Sequence, residues 1–190
     1  MTIAPAARRQ FTVDDYRRMR EAQILTEDDR VELLDGEILL MSPVGPFHVG
    51  LVIKLTQLLS ALLGTTGLLS VQNPIELNQF GEPQPDVAVL RPRDDSYTTA
   101  LPAPNDILLV IEVSDSSLAY DREQKLPQYA LAGIAEVWIV DVQKQIIEQY
   151  TQPFEDQYTK LTKVFHGHRI AATTIPTLSF TTDHIFSAKQ

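Results

Sequence analysis

Leu108–Ser114 reads LLVIEVS, an apolar, mostly branched run broken by one acid, Glu112, and closed by a serine. Such a composition belongs to a strand covered on both faces of a sheet. A carboxylate buried there costs several kcal/mol unless something pairs with it. Upstream, Pro85-Asp86 runs into VAVL (Val87–Leu90), a second strand carrying its own acid at the start. Side chains alternate along a strand, so Glu112 shares a face with Val110 and Ser114, and Asp86 with Ala88 and Leu90. If the two strands are neighbours, both acids converge on one point suited to a hard cation.

Outward from this pair, the pattern is α/β. Downstream, SDSS starts a helix over AYDREQKLPQYALAGI, expected to bend at Pro127 and stop at Gly133. EVWIVD follows as another buried strand, so strand, helix and strand form a crossover between parallel neighbours. Upstream, FTVDDYRRMR reads as a helix with a Thr12–Asp15 capping box and a Phe11–Tyr16 staple. RVELLDGEILLM reads as a hairpin turning at Asp35-Gly36. His48, Val52, Leu55, Leu59 and Leu62 mark one stripe of a helix ending at Gly64 to Gly67. LLSVQNPIEL is a strand or strand pair, and the last third reads as hairpins with a closing tail. The long stretch holding Pro92, Pro102 and Pro104 has a length common in functional or mobile loops. The expectation is a single domain over residues 1–190, with a mixed central sheet flanked by helices and a loose arm over residues 1–10.

Composition narrows the function. The 190 residues are 44% hydrophobic and 22% charged, an ordinary globular share. No apolar run approaches the roughly 20 residues expected of a membrane span, and the N-terminus lacks a signal-like apolar core. Without cysteine, disulfides and thiolate metal sites are excluded, and a cytoplasmic location is expected. The net charge of −9, from 25 acids against 16 bases, argues against a broad basic surface for nucleic acid, though not against a local groove.

Asp86, Glu112 and Lys125 are the candidates for chemistry. Magnesium takes oxygen ligands and keeps several waters, so one or two carboxylates suffice, with the Val113 carbonyl as a further ligand. Lys125, in the helix after Glu112, is placed to swing back over the strand end. A carboxylate-held cation with a lysine suits phosphodiester hydrolysis, in which the lysine orients water or offsets phosphate charge. Each candidate also has an ordinary reading: Glu112 as a structural ion pair, Asp86 as a turn residue after proline, Lys125 as a solvated helix residue. His48 lies on the apolar stripe and reads either as a hydrogen-bonded core histidine or as a contact to a ligating carboxylate or scissile phosphate. Gln84 sits in a loop and reaches either solvent or a water on the cation. His166 and His168 flank Gly167 in a turn and read as solvated.

These residues resemble a known family. Proline-aspartate at a strand start followed by an acid in a buried strand is similar to the PD-(D/E)XK nuclease superfamily. The ordered set VELLDGEILLMSP, His48 opening a helix, PQPDVAVL, LVIEVSDSSLAYDREQK and YALAGIAEVWIVD resembles the Uma family of restriction-endonuclease-like proteins, from about Phe11 to Asp141 and more faintly beyond. The resemblance implies a restriction-endonuclease-like core and metal-dependent DNA cleavage with Mg2+, Mn2+ being a possible substitute. It also implies that the lysine expected two residues after Glu112, where this chain has Ser114, has moved to Lys125. The first core helix carries no acid, so Glu32 is the substitute auxiliary carboxylate, ahead of Glu37.

Three functions follow as expectations. The first is a magnesium-dependent endonuclease acting on DNA, for which a homodimer would pair two sites by two-fold symmetry. The second is a catalytically inert nucleic-acid- or protein-binding module on the same fold. The third is a metal-dependent hydrolase of small phosphoesters.

Overall fold

The computed structural model describes residues 8–26 and 28–186. Residues 1–7 of the expected arm lie outside that range. Residues 8–10 run along the first hairpin: Arg8 pairs with Glu37 at 2.9 Å, and Gln10 Nε2 donates to the Asp35 carbonyl at 3.1 Å.

Helix α1 (Val13–Glu21) has the expected start, with Thr12 and Asp15 exchanging capping bonds. The hairpin of β1 (Val31–Leu34) and β2 (Glu37–Leu40) turns at Asp35 and Gly36, both with positive φ, 50° and 73°. That is the primed turn matching strand twist. Gly36 is required twice over, since a Cβ there would also lie 2.5 Å from Gln10.

Helix α2 (Pro46–Leu63) starts two residues before His48 and buries Leu51 and Leu63 beside the predicted stripe, leaving Leu62 only partly covered. It is also long and apolar enough to cross a bilayer by length and composition, contrary to the sequence expectation of no such run. Here one face packs on the sheet through the fully buried Leu55 and Leu59, while Phe47, Val49 and Ile53 on the helix are exposed.

Six strands form the central sheet: β3 (Leu68–Val71), β4 (Val87–Leu90), β5 (Ile107–Ser114), β6 (Glu136–Asp141), β7 (Ile146–Phe154) and β8 (Gln157–Phe165), in that spatial order. Only β5 and β6 pair in parallel, as the crossover requires; the other neighbours are antiparallel. A separate pair, β9 (Arg169–Ala171) and β10 (Ser179–Thr181), closes the described chain. LLSVQNPIEL, expected as a strand or strand pair, supplies only β3, and Gln72 then turns the backbone out of the sheet with a φ of 51°.

The sheet separates two cores. On one face, α2 and the C-terminal segment pack on Val87, Val89, Leu109, Ile111 and Val113; on the other, Tyr129 and Ile134 pack on Ala88, Leu90 and Val110. The crossover helix is not one α-helix bent at Pro127. It is α3 (Leu118–Tyr120), a π turn over Asp121–Lys125, and α4 (Leu126–Leu131) with Pro127 in its first turn. The Leu126 N–H closes the π turn on the Asp121 carbonyl, and Pro127 follows with no N–H to continue that ladder. The proline-rich stretch between β4 and β5 is tied down by Arg93–Asp95 and by Tyr97 OH donating to the Arg91 carbonyl at 2.8 Å.

Candidate active site

β4 begins at Val87 while its partner β5 continues to Ser114, so the last residues of β5 extend beyond the end of β4. Asp86 fills the gap: its Oδ2 accepts the Val113 N–H at 2.8 Å. In a strand the N–H and C=O of one residue point to the same edge, so the Val113 carbonyl faces this gap too. The Asp86 N–H points at Glu112 Oε2, 3.4 Å away. The two acids therefore meet at one corner of the sheet, on the face that carries α3 and α4.

Glu112 is 2% exposed, and both of its oxygens are engaged. Lys125 Nζ lies 3.2 Å from Oε1, and Tyr129 OH donates to the same oxygen at 2.5 Å. Lys125 also pairs with Glu32 at 3.3 Å and donates to the Gln84 carbonyl at 3.1 Å. Glu32, buried on β1, accepts from Tyr120 OH at 2.8 Å and from the Gln84 N–H at 2.9 Å. One ammonium thus sits between two buried carboxylates. His48, at the first turn of α2, holds Asp86 from the opposite side, Nε2 to Oδ1 3.0 Å; its Nδ1 is buried with no partner among the described residues.

All of these residues except Tyr129 line a cavity of about 300 Å³, with Arg30, Gln72, Asp115, Ser117 and Asp121 also on its wall. Burial pushes the Glu112 carboxyl up to about 8, against the pull of Lys125. Burial works against the Lys125 ammonium as well, but Glu112 and Glu32 outweigh it and raise its pKa, so it stays charged. For Asp86, burial is overcome by the His48 bond and the Val113 amide, which keep it below the ordinary carboxylate range. The Asp86 hydrogen bond in turn raises His48, against burial.

Asp86, Glu112, Lys125, Glu32 and His48 are thus brought together. Gln84 contributes differently than expected: its side chain turns away to the Gln72 carbonyl, and its backbone amide and carbonyl serve Glu32 and Lys125. Glu37 is on the exposed strand of the hairpin, paired with Arg8. The proline-rich stretch puts no residue on the cavity wall. His166 is not merely solvated; its Nε2 meets Asp183 at 3.1 Å, away from the cavity. Sequence reasoning missed Tyr120, Tyr129 and Asp121. The signal for two of them was the four-residue recurrence Asp121, Lys125, Tyr129 along one helix.

Among the described residues no three His, Asp or Glu side chains form a ready-made cation cluster. The donor set still fits magnesium, which needs only one or two carboxylates and fills its remaining positions with water. Asp86, Glu112 and the Val113 carbonyl face one gap, and the proton-holding tendency of Glu112 is what a divalent ion would displace.

A family model, Uma2, described as "Putative restriction endonuclease", matches residues 13–183. The chain belongs to the Uma2 family. The match extends past Asp141 through β7 to β10, where the motifs themselves fade. No curated protein matches the chain. Among solved structures it is similar to one titled as a "putative nuclease belonging to DUF820" from Anabaena variabilis ATCC 29413. The TM-score is 0.71 at 14% identity, over 93% of this chain and 98% of that one. At that identity the likeness shows the fold, which is nuclease-like. The Uma2 assignment and the fold together support a nuclease-type function.

Proposed function

We propose that this chain is a magnesium-dependent endonuclease that hydrolyses DNA phosphodiester bonds at the Asp86–Glu112–Lys125 corner, with manganese able to replace magnesium. The supporting observation is the meeting of these three residues, from the lead-in to β4, from β5 and from the crossover helix, on the wall of one cavity. Asp86, Glu112 and the Val113 carbonyl would hold the ion. When bound, the ion supplies Lewis-acid polarisation of the phosphoryl group and a more acidic water. Attack by a water oxygen on phosphorus breaks one ester P–O bond and leaves a phosphomonoester and a free hydroxyl. Lys125 offsets charge developing on the phosphoryl oxygens, a fixed ammonium in a water-poor site. Glu32 and Tyr129 keep Lys125 and Glu112 in place. His48 orients Asp86 by its hydrogen bond.

The second reading is an inert binding module. Two observations favour it: the acid excess of the chain, and the burial of Lys125 at 4% exposure between two carboxylates. Incubation of the full chain with single-stranded, duplex and branched DNA, with Mg2+, Mn2+ or chelator, separates the two. Cation-dependent cleavage lost in Lys125→Ala is the expected result; no cleavage of any substrate under any cation selects the inert module. Turnover of a chromogenic phosphodiester with none on DNA would mark a small-phosphoester hydrolase instead. Should duplex be cut in both strands, a homodimer is the simplest arrangement, and light scattering with the duplex bound reports it.

A further inference from the structure

The helix after β5 is wound so that one face reaches the cavity. Asp121, Lys125 and Tyr129 recur every four residues and all are buried, at 4%, 4% and 0% exposure. In an uninterrupted α-helix each step of four overshoots a full turn by about 40°, so three such side chains would fan around the axis. Here the first step runs through the π turn Asp121–Lys125 and the second through α4. A π turn, closed by i to i+5 bonds, needs more residues per turn and undershoots. The two steps offset each other. All three side chains then reach β5, Asp121 at Ser114 and the other two at Glu112.

Asp121 has no part in the function proposed above. Its Oδ2 accepts from Ser114 Oγ at 2.6 Å and from Ser117 Oγ at 2.7 Å. Ser114 lies two residues after Glu112 on the same face of the strand. A carboxylate this buried is expensive to retain without partners, and these hydroxyls offset part of the cost. The serine standing where the superfamily pattern would have lysine thus anchors the helix that carries Lys125.

We propose that Asp121 is a positioning residue: by clasping Ser114 and Ser117 it fixes the π turn and holds Lys125 Nζ between Glu112 and Glu32. The consequence for cleavage rests on the nuclease reading; the placement of Lys125 does not. The test follows acylation of Lys125 by an amine-reactive reagent, read by mass spectrometry, in the full chain and in folded variants. Lys125 should react slowly in wild type and about tenfold or more faster in Asp121→Asn, whose neutral amide oxygen holds the two serine hydroxyls less strongly than the carboxylate does. Ser114→Ala should fall between them, and Ser114→Thr, which keeps the hydroxyl, should stay near wild type. Glu136→Gln loosens the fold elsewhere and should leave Lys125 protected.

Unchanged labelling in Asp121→Asn, or an equal rise in Glu136→Gln, would overturn the proposal. If Asp121→Asn does not fold, Ser114→Ala decides alone, a wild-type rate counting against it. In parallel, cation-dependent oligonucleotide cleavage should lose kcat in Asp121→Asn with little change in KM. Should wild type cleave nothing, the nuclease reading falls while the labelling still decides the role of Asp121.

Discussion

Glu112 is the residue on which the site turns, because its burial and its function pull in opposite directions. Its pKa rises from an ordinary 4.5 to about 8, so at neutral pH the folded chain keeps a proton that the unfolded chain has released. Stability from this group is therefore complete below about pH 4.5 and lost as pH rises toward 8. Urea unfolding at pH 5 and pH 8 should show wild type losing on the order of 3 kcal/mol more than Glu112→Gln, which cannot titrate. Equal losses would mean that Glu112 is ionised throughout. The same proton competes with the cation. Affinity for Mn2+ should rise by up to about tenfold per pH unit below the Glu112 pKa, measured by calorimetry in buffers of different ionisation enthalpy. Lys125→Ala is the costly change for the fold: it leaves Glu32 buried without its cation, at about 3–5 kcal/mol. That Glu112 and Asp86 meet was legible, because an acid in an apolar strand and an acid at a strand start are both out of place; Lys125 and Glu32 were placed beside them by the family resemblance. Tyr120 was not legible, since a tyrosine on a helix reads as core and only its hydroxyl partner reveals another role.

At the scale of elements, the strands and the hairpin followed from pattern, and the winding of the crossover helix did not. Asp35-Gly36 names its turn, and LLVIEVS and EVWIVD name buried strands; a π turn leaves no periodicity to read, and Pro127 drew attention to the wrong residue. A second buried acid shows how the C-terminal part is attached. Glu136 on β6 is fully buried and accepts from Trp138, Gln149 and both the backbone and hydroxyl groups of Thr173 and Thr174. Glu136→Gln would turn an amide NH2 toward donors and should cost about 2–4 kcal/mol. Hydrogen exchange should show faster opening of the Thr173 and Thr174 amides, with Mn2+ affinity unchanged. Loss of cation binding in this variant would mean that site and scaffold are not separable in the way the two cores suggest.

For the whole molecule, charge is the property that a nuclease reading must accommodate. A chain of net charge −9 whose cavity gathers Glu32, Asp86, Asp115 and Asp121 beside Arg30 and Lys125 disfavours phosphate until a cation enters. Binding to a short duplex, followed by fluorescence anisotropy, should be weak in chelator and strengthen with Ca2+, which takes oxygen ligands like magnesium. Its salt dependence should be shallow, with a log–log slope of only about −1 to −2, because few lysines and arginines can release counterions. Tight, steeply salt-dependent binding in chelator would point to a basic surface in place of the cation-loaded cavity. Family membership could be read from ordered motifs; the electrostatics of the cavity could not, because they depend on which acids are buried together.

The most direct measurement is a calorimetric titration of Mn2+ into wild type, Asp86→Asn and Glu112→Gln at pH 8, each checked for folding by circular dichroism. Saturable binding by wild type and none by either folded variant is expected if the two acids hold the ion. Binding of equal strength in all three proteins would contradict it.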